Sequence, residues 1–526
     1  MTSGGISFRS ISRSAAILSG AAAAVQVIGI VREVFVAANV GLSSGYDALL
    51  IALVLPTTIA TVLTAGTVTA MIPAYLELRD AEGLLPARRL AGAILFWVGL
   101  GGLAIWLLLE AFGPVVIAIV GPGLDDAGRA AAVSYLHIVS PMAFFSAVSA
   151  ILSAVLQAEK RFKVIAFATF AGSAATLVVM LVLWFPLELQ ALAFGNLAGP
   201  IATGIVLIVA ALRSDHAPRL TAWTTREQLA SFTTHAAPLT LSQAILQFNP
   251  VVDRAIATLI GPGAVSALRY ADVLVRTPIG AISPGWATAI YPSLVQAANR
   301  GVAGLGDATA RAVRYVLVAF VPIAVLTAAV APVAVAVGFG RGEFTQDDVA
   351  LTAQAVAGFA PIIVIQMAYP PFTGALNARR RGSVLLAGGV LNVILNVVLD
   401  VAFGLTLGAA GIALSSSLTA VIVLIFFASR VARSESDFER APIARTLLLT
   451  LAASIPVAVP IAVLCWLGLV PGGLVGGLVA LAIFGVLGLL GYLVVALRLG
   501  IEEARSLADV VRRRLPSRRR AEGAAP

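Results

Sequence analysis

Along the chain, apolar runs of about 20 residues or more alternate with short breaks marked by charge, Gly or Pro. They fall near 11–39, 45–77, 89–119, 130–157, 163–185, 189–212, 227–259, 263–296, 309–337, 349–376, 382–402, 407–429, 446–468 and 473–497. The spacing predicts fourteen transmembrane helices. Strands of a membrane barrel need segments of about 10 residues that alternate with period two, and these Ala/Leu/Val/Gly runs do not alternate. The first run follows Arg9 and Arg13 as the core of a signal peptide would. It continues to Asn39 without an obvious processing site, so it is read as a retained first span.

Composition agrees. Of 526 residues, 60% are hydrophobic and 12% charged, where soluble domains carry roughly 25% charged residues. Cys465 stands alone, and His137, His216 and His235 are scattered, which leaves no disulfide framework, thiol metal site or histidine cluster. The net charge of +9 is arginine charge, since Lys160 and Lys163 are the only lysines. Of the 35 basic residues, 29 fall before the first span, in the even-numbered connections or from Arg498 onward, against Arg129 and Arg341 on the other face. The positive-inside rule places both termini in the cytoplasm. It makes the RRRLPSRRR tail a topology anchor touching anionic lipid rather than a nucleic-acid site. Four arginines remain inside predicted spans: Arg32, Arg254, Arg269 and Arg276.

The pattern repeats internally. LSAVLQAEKRF (152–162) lies over FTGALNARRRG (372–382) at an offset of 220, with Pro141 over Pro361. The same shift sets IVREVFVAANVG (30–41) over PVVDRAIATLIG (250–261), matching Glu33 with Asp253 and Gly41 with Gly261. A shift of 219 lays Pro73 on Pro292. Spans 1–6 and 7–12 therefore read as two six-helix lobes of one orientation, related by a pseudo-twofold along the membrane normal, with a pathway between them near the midplane. The implied divisions are an N-terminal lobe over 1–215, a C-terminal lobe over 216–432, spans 13–14 over 433–500 and a basic cytoplasmic tail over 501–526.

Charges inside the spans stand out against this background. Arg32, Glu33, Asp47, Asp253, Arg254, Arg269, Asp272 and Arg276 are all expected in the same half of the membrane. A charge at a helix centre costs about 2.5–3.5 kcal/mol on insertion scales, so such residues face a partner or a water-filled cavity. Structural ion pairing between lobes is the plainer alternative for any one of them. Asp253 and Arg254 are consecutive and point about 100° apart on a helix. The expectation is that Asp253 faces span 11 and Arg254 the cavity mouth or headgroup layer. In span 11, Asn392, Asn396 and Asp400 share one face at i,i+4 spacing. Such oxygens suit a hard cation, and they equally suit interhelical hydrogen bonding.

Taken together, these strings resemble the MurJ/MviN-type lipid II flippases of the multidrug/oligosaccharidyl-lipid/polysaccharide exporter superfamily. GIVREVFVAANVG with YDALLIALVLP resembles that family's first two helices, and SALRYADVLVRTPIGAISPGWATAIYPSL its eighth. The resemblance implies alternating access, a cationic cavity for the diphosphate and sugar of an undecaprenyl-linked precursor, and a groove for the lipid tail along spans 13 and 14. It implies a cavity role for Arg32 with Asp47 as an acidic partner, and Arg269, Asp272 and Arg276 are added as neighbouring substrate-binding candidates. Some members bind sodium, and their pattern maps onto Asp253, Asn396, Asp400, the carbonyl of Ile412 and Ser416. Where the family has further arginines this chain has Gln26, Ala60 and Val273; Arg269 and Arg276 lie four before and three after the last.

The leading functional reading is a flippase of a polyprenyl-diphosphate-linked saccharide in the bacterial inner membrane, because guanidinium groups bind diphosphate bidentately and stay charged. A cation-coupled multidrug or small-molecule antiporter of the same superfamily, and a non-transporting scaffold of an envelope-synthesis complex, stay open beside it. Expected partners are the lipid-linked saccharide, membrane lipids and envelope-synthesis proteins, and no nucleic acid. An enzyme is disfavoured, since no nucleophile–base set or phosphate loop is present, and no cofactor is expected beyond a sodium ion.

Overall fold

The computed structural model describes residues 8–214, 217–221, 232–234, 240–241, 244–245, 247–280 and 304–506, with side chains from residue 20 onward. Parts of predicted spans 7 and 8, Pro292 and the closing PSL string, His216, His235, the lobe boundary at 215–216 and the RRRLPSRRR tail lie outside the described residues. Among the described residues all regular structure is helical.

The helices are α1 (Phe8–Val40), α2 (Ser44–Glu82), α3 (Leu84–Ala111), α4 (Gly113–Val120), α5 (Asp126–Val139), α6 (Met142–Ala158), α7 (Phe162–Leu187), α8 (Leu189–Leu212) and α9 (Asn249–Ile260). After α10 (264–280) follow α11 (Leu305–Phe339), α12 (Gln346–Phe359), α13 (Ile362–Ala378), α14 (Gly382–Ser434), α15 (Arg440–Trp466) and α16 (Leu474–Arg498). Eleven helical segments among the described residues are long and apolar enough to cross a membrane. One of them, α14, has 53 residues and a non-helical Gly408 at φ 66. At 1.5 Å per residue it is roughly 80 Å long, over twice a hydrocarbon core, so it supplies two crossings, spans 11 and 12. Adding the partly described spans 7 and 8, the architecture agrees with a fourteen-span, all-α polytopic membrane protein.

The 220-residue offset is visible in local structure. Helices α5 and α12 both have 14 residues, and α6 and α13 both have 17, each pair starting 220 apart. Asp125 caps the start of α5 by accepting from Gly128, and Thr345 caps α12 within a capping box with Asp348. Pro141 and Pro361 interrupt each pair where a proline has no N–H to give. Both α6 and α13 end in a left-handed residue, Lys160 at φ 57 and Arg380 at φ 53. The next N–H closes back on the helix, Arg161 on Leu156 O at 2.8 Å and Arg381 on Leu376 O at 2.9 Å, as in a Schellman termination.

The chain forms two compact units. The first comprises Met1–Arg269, Gly342–Phe344 and Val393–Ala409, and the second the remainder. In the first, Met71, Tyr75, Leu90, Ile94, Ile151 and Val155 form a core between α2, α3 and α6. Small residues bring α7 and α8 close, with Thr203 Oγ1 donating to Ala168 O and no room for a Cβ on Gly172 or Gly199. In the second, Leu305, Leu317, Phe372, Val423, Phe427 and Phe438 form the core. Tyr492 of α16 donates to Val318 O at 2.8 Å, and Glu503, beyond α16, pairs with Arg314.

Candidate functional site

Glu33 is the centre of a cavity of about 220 Å³ within the first unit. Its carboxylate, on α1, is only 3% exposed. Oε1 accepts from Arg32 Nη2 at 2.8 Å and from Arg269 Nη2, on α10, at 2.6 Å. Oε2 accepts from the Tyr46 hydroxyl of α2 at 3.2 Å. Burying a carboxylate is costly unless charge and hydrogen bonds are matched around it, and two guanidinium groups and a phenol do so here. Asn196 of α8 fixes its amide by donating to Leu192 O at 2.7 Å, which leaves Oδ1 toward Arg32 Nη1 at 3.5 Å. Arg254 of α9 also lines the cavity, and Val36, Leu50, Leu53 and Leu192 supply apolar wall.

Three arginines against one acid leave the lining with an excess of two positive charges. Apolar walls strengthen the attraction such charges exert on an anion, because the local dielectric is low. The volume is below the roughly 300–1,000 Å³ of a drug-sized pocket. It suits a compact anionic group and not an entire lipid-linked saccharide.

The remaining predicted residues are distributed differently. Asp47, 3% exposed, does not line the cavity. Its Oδ2 accepts from Gly263 N at 2.6 Å and Oδ1 from Ser266 N at 2.8 Å, which caps the N-terminus of α10. Asp272 and Arg276 pair with each other across one turn of α10, in the second unit. Gln26 and Ala60 are absent from the lining, and positive charge enters instead from Arg254 and Arg269. Tyr46 and Asn196 were not singled out by sequence. Asn196 is a lone polar side chain in the apolar run FGNLAG, and Tyr46 opens the run YDALLIALVLP beside Asp47; a polar group at an apolar run is the signal that marks them.

For the cation candidates, Asp253, Asn396 and Asp400 fall within the first unit, and Ile412 and Ser416 in the second. Asn396 and Asp400 are 1% and 0% exposed. Asn396 Oδ1 is buried and accepts no hydrogen bond. Among the described residues no cluster of three His, Cys, Asp or Glu side chains forms a metal site. Two carboxylates with an amide oxygen are a donor set of the kind a hard monovalent or divalent cation takes.

Comparison with known proteins places these features. Residues 36–483 match the family model of the lipid II flippase MurJ. A probable lipid II flippase MurJ of Rhizobium meliloti is 24% identical over 480 residues, covering 87% of this chain and 88% of that one. The lipid II flippase MurJ of Burkholderia cenocepacia is 26% identical over 440 residues, 77% of this chain and 81% of that one. In fold, the chain is similar to a lipid II flippase MurJ in an inward closed conformation, with a TM-score of 0.76 at 19% identity, over 94% of this chain and 99% of that one. It is also similar to an inward-facing multidrug resistance MATE family transporter of the MOP superfamily, with a TM-score of 0.64 at 16% identity, over 80% of this chain and 96% of that one.

Proposed function

The chain belongs to the lipid II flippase MurJ family, and from that premise we propose that it moves lipid II, or a related polyprenyl-diphosphate-linked cell-envelope precursor, from the cytoplasmic to the outer leaflet of the bacterial inner membrane. The observation that carries this reading is the sign of the cavity: Arg32, Arg254 and Arg269 against Glu33 alone. A diphosphate matches an arginine-rich lining bidentately, whereas a cationic drug would be repelled. The multidrug alternative is therefore not favoured.

In this reading Arg32 and Arg269 exchange part of their bonding to Glu33 for phosphate oxygens, and Asn196 holds Arg32 toward the cavity. The saccharide and the lipid tail lie outside the 220 Å³ volume. Both termini and the basic connections are cytoplasmic. Asp253, Asn396 and Asp400, all of the first unit, would hold a sodium ion; the ion's role is to favour one state through its differential affinity for the two.

The test is translocation of a fluorescent lipid-linked precursor in vesicles containing the purified protein, with and without a sodium gradient. Charge-assisted hydrogen bonds are worth about 1.5–3 kcal/mol, so Arg269→Ala is expected to slow transport about 10- to 100-fold, with Lys restoring only part. Transport at the parental rate by a variant lacking Arg32, Arg254 and Arg269 together would overturn the reading.

A further inference from the structure

Glu110 and His137 form an ion pair in the first unit, outside the cavity around Glu33. His137 Nδ1, in the last turn of α5, stands 2.9 Å from Oε1 of Glu110, in the last turn of α3. Glu110 Oε2 accepts from Ser140 Oγ at 3.0 Å. The two charged side chains are 44% and 40% exposed, beside the exposed Leu107, Leu108, Phe112 and Val115. Both residues fall well inside the apolar runs 89–119 and 130–157. Ionisable groups in such a layer are costly to expose and belong against a partner.

The second copy shows what this face of the scaffold receives. His137 and Ser140 have Ala357 and Ala360 as counterparts at the 220-residue offset, and the stretch of α11 that corresponds to the end of α3 is apolar. It is covered by α15 and α16: Leu326, Ala329 and Val333 pack with Ala458, Ile461, Cys465 and Ala480, and Ala328 O accepts from Trp466 Nε1 at 3.2 Å. The duplicated scaffold therefore folds without the ion pair and takes neighbouring helices on this face. Spans 13 and 14 have no counterpart in the first copy. There α3 leaves the face exposed and adds an acid and a base to it.

We propose that the end of α3, with Glu110 and His137, is a helix-docking face whose occupant is a second copy of this chain. The choice of occupant follows from the pair itself. Two copies inserted with one topology are related by a twofold along the membrane normal, so the contact is isologous and each residue meets its partners at its own depth. As an imidazolium, His137 has a second N–H, on Nε2, and the Glu110 carboxylate has lone pairs beyond those its two partners take. Across the axis each imidazolium faces the other copy's carboxylate, and the four charges form a closed network shielded from lipid. A helix of another protein would have to bring a matching donor and acceptor to this depth, whereas a second copy already has both. The proposal is independent of the transport reading.

The test uses the full-length protein with Cys465 replaced by Ala. In native membranes treated with a short bis-maleimide, Leu107→Cys is expected to give a species of twice the monomer mass. Val182→Cys, on the exposed face of α7, is expected to give none. A Leu107→Cys product of any other mass, or no product, overturns the proposal. The purified protein, fluorescently tagged and diluted in vesicles, is expected to bleach mainly in two steps. The variant with Glu110→Ala, His137→Ala and Ser140→Ala, which has on α5 the residues of the second copy, is expected to lower the two-step fraction at least fivefold. Single-step bleaching of the parent, or an unchanged two-step fraction in the folded variant, overturns the proposal. Should that variant fail to fold, His137→Gln decides: a two-step fraction at least halved supports the docking face, and a parental fraction overturns it.

Discussion

The starts of α2 and α10 occupy equivalent positions in the two copies and are capped in opposite ways. At α2, Ser43 adopts an extended backbone (φ −112°, ψ 150°) and its own hydroxyl accepts from Tyr46 N at 3.2 Å. The residue 220 positions later is Gly263, at φ +84, with no side chain to accept anything. Its amide and that of Ser266, the counterpart of Tyr46, are taken by Asp47 from a helix more than 200 residues earlier. The second unit uses the same device. Gly304, at φ +127, opens α11, and Asp437 accepts from Gly304 N at 2.7 Å and Asp307 N at 3.2 Å. Between the copies the amide three residues on, Tyr46 N or Ser266 N, remains the donor, and the source of its acceptor changes. A local cap stabilises one helix. A distant carboxylate takes that amide and one more, and ties two segments of chain together.

The largest test of this comparison is Asp47→Ala. It strands two amides that had a buried charged acceptor, and should cost about 2–4 kcal/mol, read as loss of thermal stability of the detergent-solubilised protein. Next is the pair of turns after α6 and α13, where charge is reversed between copies. Glu159 meets Arg79 through one contact at 3.2 Å, whereas Arg379 grips the nearly buried Glu435 through two, at 2.8 and 2.7 Å. Arg379→Ala should cost about 2 kcal/mol, discounted from the 3–5 of a fully buried pair, and Arg79→Ala at most about 1. Equal losses would show that the reversal is neutral.

Ser43→Ala removes only a local cap, and about 1 kcal/mol is expected; a loss matching that of Asp47→Ala would show that the local and the distant cap are equivalent. The smallest effect belongs to Asp437. Burial alone would raise its carboxyl, but the N–H groups of Asp307 and Gly304 outweigh this and hold it below the usual carboxylate value. Its folded form therefore binds the proton less readily than the unfolded chain. The contribution is fully present above about pH 4, the unfolded value, and disappears as pH falls through the lower folded value. Thermal scans between pH 6 and 3 should show a slightly shallower decline for Asp437→Asn than for the parent.

The repeat and the helices were legible because each is written locally. A crossing needs about 20 apolar residues, a turn needs its Pro or its left-handed position, and a 220-residue offset survives in strings such as QAEKR and NARRR. Which charged residues interrupt the apolar runs was legible too, since that follows from position along the chain. Partners were not. Sequence supplied four arginines and four acids in one half of the membrane with nothing to match them.

Only the tertiary structure decided that Glu33 takes Arg269, 236 residues away, that Asp47 serves backbone amides and that Asp272 stays with Arg276 on its own helix. Hydropathy reports how deep a residue lies and which elements form. Pairing depends on how each helix is rotated and on which distant helix stands beside it. Those are long-range packing outcomes, and one residue of rotation, about 100°, separates a charge that faces the cavity from one that faces its wall.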